Sequence, residues 1–143
     1  MSEFYISCVL FEEGGEMPEE LGYKHGNMEP SIQHHNLPEN YKCQVRIMDD
    51  PDAMEAVGKV WVHDLRYINA SVEEGVEGKN DFGELGWGGP APPDKRHTYI
   101  FKAYVLDVEL DLKEGYSKQE LEDAMKGHII AEAKLTGTYD SFI

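Results

Sequence analysis

Residues Gly83–Asp107 read GELGWGGPAPPDKRHTYIFKAYVLD. The first half is backbone that no regular element accommodates. Gly86, Gly88 and Gly89 open conformations closed to other residues, whereas Pro90, Pro92 and Pro93 lock φ and remove donors. The second half, from Thr98, is dense in Tyr, Ile, Phe and Val, which fit a pleated, half-buried surface, and it reads as a strand through about Leu110. A stiff, glycine-lined loop therefore feeds a long buried strand, with His97 at the junction. Bare backbone N–H groups beside a histidine at a strand mouth point to a small pre-formed site.

Upstream, Val72 to Gly83 is acidic, glycine-rich and without a period, and reads as loop. Trp61 to Asn69 reads as a strand that carries His63 on the same face as Trp61, Leu65 and Tyr67. Cys43, Val45 and Ile47 alternate with polar residues in another strand, ended by Asp49-Asp50-Pro51-Asp52. From Glu16 to Asn40 the chain is polar and broken by Pro18, Gly22, Gly26, Pro30 and Pro38, so it reads as a long loop with a short strand near Ser31–His34. A first strand runs from Phe4 to Leu10, followed by a turn at Glu12–Gly15. Downstream, Ser117-Lys118-Gln119-Glu120 fits a capping box, and Leu121, Ala124, Met125, His128 and Ile129 follow at helical spacing. Ala131 to Tyr139 alternates again and reads as a last strand. The expectation is one mainly β domain over residues 1–143: a sandwich of two antiparallel sheets with one C-terminal helix and long loops.

The composition narrows the function classes. Of 143 residues, 41% are hydrophobic and 29% charged, as in a globule with a real core, and the formal net charge is −15. That balance argues against nucleic acid and against docking on anionic membranes. It leaves room for a local anion pocket, because screening limits repulsion to roughly 8–10 Å at physiological salt. The N-terminus lacks a basic stretch followed by an apolar run, and no apolar stretch is long enough to span a bilayer. The expected compartment is the cytoplasm. Cys8 and Cys43 are expected as free buried thiols, with a disulfide left open.

Three segments together resemble the phosphatidylethanolamine-binding protein family, in its bacterial and archaeal branch of Raf-kinase-inhibitor-like proteins. They are Asp49-Asp50-Pro51-Asp52-Ala53, Trp61-Val62-His63, and Gly88-Gly89-Pro90-Ala91-Pro92-Pro93 leading to His97-Thr98-Tyr99. Asn80-Asp81-Phe82-Gly83, Tyr104–Asp107 and Gly127–Tyr139 extend the likeness almost end to end. The resemblance implies a β-sandwich with a small anion-accepting pocket. Its residues, carried over by motif, are Asp50, His63, Gly89, Pro92 and His97, with Tyr99 beside them. The chain departs from the family's pattern in several places. Met54 stands for a Pro, Asp64 for a Trp, and Thr98 for a common Arg. In the early Asn-x-Ser-Pro-x-Leu-x-Trp segment, Glu29 replaces the Ser and His34 the Trp.

In such a pocket an imidazolium offers two N–H donors and a charge, glycine amides approach an anion closely, and Asp50 orients one imidazole from behind. Anion binding is then expected to be stronger at pH 6 than at pH 8. By pattern alone, His63 reads better as a core histidine and Asp50 as a turn residue, and the Gly-Pro loop reads equally as a connection between sheets. His128 reads as core or interface, and Asp81 as a brace for its loop. No metal-ligand spacing occurs, His34 and His35 would point to opposite faces of a strand, and no cofactor is called for. Asp50, His63 and His97 could form an acid–base set, but no Gly-x-Ser-x-Gly nucleophile accompanies them, so catalysis is not indicated. The expected function is binding of a small anion, phosphate or a phosphorylated head group, with a regulatory or inhibitory role. The alternatives are a protein-level inhibitor of a kinase or protease, and an acid–base hydrolase using the same pocket. A homodimer is implied by the resemblance alone.

Overall fold

The computed structural model describes residues 3–141. Its elements are β1 (Tyr5–Ser7), β2 (Gly15–Glu16), β3 (Gln33–His35), β4 (Cys43–Asp50), α1 (Ala53–Val57), β5 (Trp61–Asn69), β6 (Val76–Glu77), β7 (His97–Leu106), α2 (Lys118–Met125) and β8 (Ile129–Tyr139). One six-stranded sheet has the order β2-β8-β7-β4-β5-β6, and β1 pairs with β3 in a second, two-stranded sheet. All pairings are antiparallel except the short β2–β8 contact.

The large sheet is covered on both faces, which is why its central strands are apolar on both. On one face Met48, Tyr99, Phe101, Ala103 and Leu135 pack against Ile6, Phe11, Leu21, Ile32 and Trp87 from the small sheet and the loops. On the other, Val45, Ile47, Leu65, Tyr67 and Leu106 pack against Leu121 and Met125 of α2. The mainly β expectation holds, with two sheets of very unequal size. Cys8 and Cys43 are free and buried, one in each cluster. Burial pushes the Cys43 thiol up to about 12, which leaves it protonated and inert. Among the described residues no helix is long and apolar enough to cross a membrane.

Several boundaries differ from the sequence pattern. β1 ends at Ser7, because the chain turns at Val9–Leu10 and Cys8 bridges back to Phe11. The capping box at Ser117 forms as expected, with Ser117 Oγ accepting from Glu120 N–H and Glu120 returning to Ser117 N–H. The helix stops at Met125 rather than Ile129, since Gly127 takes a left-handed φ of 83°. His128 therefore lies outside the helix, 45% exposed, with Nδ1 2.9 Å from Asp107 Oδ1, and is not a core residue. A second helix, α1, follows Pro51-Asp52, where the sequence suggests only a turn.

Candidate functional site

A β-bulge builds the site. On β5, Asp64 lies opposite Met48 and Val62 opposite Asp49, so His63 is an extra residue with no partner on β4. A bulge re-aims the side chain it carries and reverses the strict alternation of faces. Leu65 and Tyr67 point into the α2 side of the sheet, as strand periodicity suggests. His63 instead packs edge-on against Tyr99, at 5.1 Å between ring centroids, on the opposite side. The reading of His63 as sharing a face with Leu65 and Tyr67 is thereby corrected.

His63 and His97 line one cleft of about 140 Å³, together with Asp50. That is space for four or five waters, or for one tetrahedral oxyanion. The remaining wall is apolar: Ala53 and Val57 from α1, Trp61, Phe82 and Pro93. Asp50 is 3% exposed and His97 fully buried. Tyr99 lies beneath, against both histidine rings, and does not line the cleft.

The two histidines are in opposite protonation states for identifiable reasons. His63 Nδ1 lies 2.7 Å from the Gly88 carbonyl, which can only accept, so this nitrogen carries the hydrogen and Nε2 holds the lone pair. Burial drives the His63 pKa below the ordinary histidine value, against the pull of the Gly88 carbonyl and the Asp50 charge. His63 is neutral at pH 7. His97 donates from Nδ1 to Asp50 Oδ2 at 2.6 Å and from Nε2 to Asp94 Oδ1 at 2.7 Å. Burial alone would lower its pKa, but the Asp50 and Asp94 carboxylates outweigh that and raise it above the ordinary value. An imidazolium with a carboxylate at each nitrogen is the arrangement that follows.

Asp94 is the feature that sequence reasoning misses. It stands three residues before His97 with its side chain 39% exposed, and its carboxylate holds the ring nitrogen not taken by Asp50. Burial opposes its ionisation, yet the hydrogen bonds from His97 and from its own loop lower its pKa on balance. Among the described residues, three buried polar atoms around the cleft make no well-formed hydrogen bond: Asp50 Oδ1, Trp61 Nε1 and the Tyr99 hydroxyl. Trp61 lines the cleft, and its indole N–H is a donor without an acceptor. The Tyr99 hydroxyl makes no well-formed hydrogen bond, and burial together with the nearby Asp50 charge raises its pKa strongly.

Gly89 and Pro92 sit differently from expectation. The Gly89 N–H is donated to Asn27 Oδ1 at 2.7 Å, and the Gly88 N–H to the His63 carbonyl at 2.8 Å, so neither amide is bare. A Cβ on Gly89 would stand 1.8 Å from the Leu21 carbonyl oxygen, and close packing is what this glycine serves. Pro92 lines a neighbouring cleft of about 290 Å³ with Lys24 and Tyr139. The loop itself is braced by Asn80, whose Oδ1 accepts from Phe82 and Glu84 N–H and whose amide donates to Gly86 O. Asp81 Oδ2 accepts the Val62 N–H at 2.7 Å, the bracing role its position suggests. Asp49, adjacent to Asp50, serves the fold, with its Oδ2 held by Lys102 and Lys118.

Fold and site together define a class: a small, mainly β protein whose large sheet ends in a cleft with a neutral histidine, a charged one and a buried aspartate. The chain belongs to the phosphatidylethanolamine-binding protein family, whose model matches residues 9–140. A UPF0098 protein of Chlamydia trachomatis is 37% identical over 146 residues, covering 94% of this chain and 97% of the relative. A UPF0098 protein of Methanothermobacter thermautotrophicus is 36% identical over 149 residues with the same coverage. Among solved structures, a putative phosphatidylethanolamine-binding protein homolog from Chlamydia trachomatis superposes with a TM-score of 0.87 at 33% identity, covering 97% of this chain and 98% of the other. E. coli YbcL, described as a member of the mammalian family, gives 0.86 at 28% identity, with 96% and 98% covered.

Proposed function

We propose that the protein binds a small oxyanion, phosphate or a phosphorylated group, in the cleft between His63 and His97. The observation that carries this reading is the Asp94 carboxylate, an anionic oxygen already seated on His97 Nε2. An incoming anion takes that seat by displacement, so the imidazolium keeps a negatively charged oxygen at Nε2. His63, with its lone pair on Nε2, cannot donate to the anion at pH 7 but can accept the proton of a P–OH group. The site thus prefers a protonated phosphate or phosphomonoester to sulfate, which has no hydrogen to give. The exposed apolar side chain of Val57, which lines this cleft, suits an ester substituent better than open water.

The test is calorimetric titration of phosphate and of sulfate from pH 6 to pH 9. The His97 pKa is raised in the fold, so binding is fully present at low pH and declines as pH rises through that raised value. Sulfate keeps its charge over this range, so its decline reports the protein alone. Phosphate is expected to bind more tightly than sulfate throughout. Affinities independent of pH, or equal for the two anions, would remove the histidine argument.

A further inference from the structure

A second cavity, of about 450 Å³ and sharing no residue with the histidine cleft, lies between the segment from Glu29 to His34 and the β4–β5 pair. Its volume falls in the range of small-molecule sites. Its floor holds Arg46 and Arg66, which are directly opposite each other across the two strands. Like charges in that position repel and need a counter-charge between them. Glu29 provides it: one oxygen, Oε2, accepts from Arg46 Nη2 at 2.6 Å and from Arg66 Nη1 at 3.1 Å. Arg46 is anchored from below by Asp64, 1% exposed, at 2.6 Å. Among the described residues the buried Arg66 Nε–H has no hydrogen-bond partner.

Three features separate this cluster from an ordinary ion-pair network. The bridging carboxylate is itself 38% exposed and belongs to a loop, so its seat is reachable. The space beside it is bordered by the apolar side chains of Ile32 and Ile68. Glu29, Asp64 and His34 bring two carboxylates and an imidazole together around the Arg46–Arg66 pair. Burial and the Arg46 charge hold His34 below the ordinary histidine pKa, so it adds no third positive charge.

We propose that this cavity is a second ligand site, independent of the histidine cleft, which takes a small organic carboxylate with an apolar body. The ligand carboxylate replaces Glu29 across the Arg46–Arg66 pair, where planar guanidinium forks match a planar carboxylate. The apolar body lies against Ile32 and Ile68.

Hexanoate is the probe, with 1-hexanol as the uncharged control, titrated into the full chain at pH 7 and followed by amide chemical shifts. The expected shifts centre on Gln44, Arg46, Arg66 and Ile68 and leave His63 and His97 unmoved, with hexanol at least tenfold weaker. Glu29→Gln removes the internal competitor and is expected to tighten hexanoate at least fivefold, while Arg66→Gln weakens it at least tenfold. Hexanoate should also raise the melting temperature of Glu29→Gln more than that of the unmodified protein. No shifts at the Arg46–Arg66 pair, equal binding of hexanol, or unchanged or weaker binding to Glu29→Gln would each overturn the proposal. The last variant decides the matter even if Arg66→Gln fails to fold.

Discussion

Replacing Asp50 by Asn removes one charge from a residue 3% exposed, 2.6 Å from a histidine with no accessible surface. Breaking a buried ion pair by neutralising one partner costs roughly 3–5 kcal/mol. The Asn carbonyl can still accept the His97 Nδ1–H, which places the expected loss near the low end, about 3 kcal/mol. In a chain of this size that corresponds to a melting temperature lower by roughly 10 °C. The loss also has a predictable pH dependence. The folded His97 pKa lies above its ordinary value of 6.5, so the stability the pair contributes is complete below 6.5 and fades as pH rises through the raised value. The difference between the native protein and Asp50→Asn is therefore largest near pH 6 and shrinks towards pH 9. Asp64, which burial pushes up to about 6 against the pull of Arg46, runs in the same direction, unlike a carboxylate whose pKa is lowered: it too costs stability as pH rises from its ordinary 3.8 to about 6. That term is common to both proteins and cancels in the difference. Thermal unfolding, with denaturant unfolding beside it, at unit pH steps from 6 to 9 measures it. A melting temperature within two or three degrees of native, or a difference that does not change with pH, would refute the claim that Asp50 and a charged His97 form a buried pair.

Two further variants separate packing from binding. Gly89→Ala places a methyl group 1.8 Å from the Leu21 carbonyl oxygen, so the loop must retreat by more than an ångström, at the upper end of the roughly 1–3 kcal/mol that overpacking costs. Thermal unfolding should show it, and native stability in that variant would mean that the contact with the turn before Gly22 is loose. Asp94→Asn leaves a weaker occupant on His97 Nε2, and phosphate should bind roughly three- to tenfold more tightly by calorimetry, as expected when a charge-assisted hydrogen bond no longer competes. Weaker binding in this variant would make Asp94 part of the ligand's coordination rather than its stand-in.

How much of this is legible in the sequence depends on which physical signal each residue leaves. Strand β5 and the capping box of α2 follow from alternation and from a local side-chain pattern and stand at their observed bounds, whereas β7 begins within a residue of its expected start but ends at Leu106, short of the expected Leu110. The position of His63 does not follow from alternation, because one inserted residue on β5 reverses the faces and periodicity carries no mark of an insertion. Only the spacing of the Trp61-Val62-His63 segment relative to the other motifs hints at it. α1 is five residues long, too short to express a helical period. The Gly-Pro loop is rightly seen as irregular, but composition cannot tell whether a glycine amide faces a ligand or an Asn side chain from a distant part of the chain. Asp94 is visible as an acidic residue beside His97; that it caps the ring is a property of the turn between them.

The central claim is that a small anion replaces the Asp94 carboxylate at His97. A crystal of the protein soaked in phosphate near pH 6 tests it most directly. The account predicts tetrahedral density within hydrogen-bond distance of His97 Nε2 and His63 Nε2, with the Asp94 side chain swung out of the cleft. Asp94 still seated on His97 at saturating phosphate, with the cleft holding only water, would contradict it.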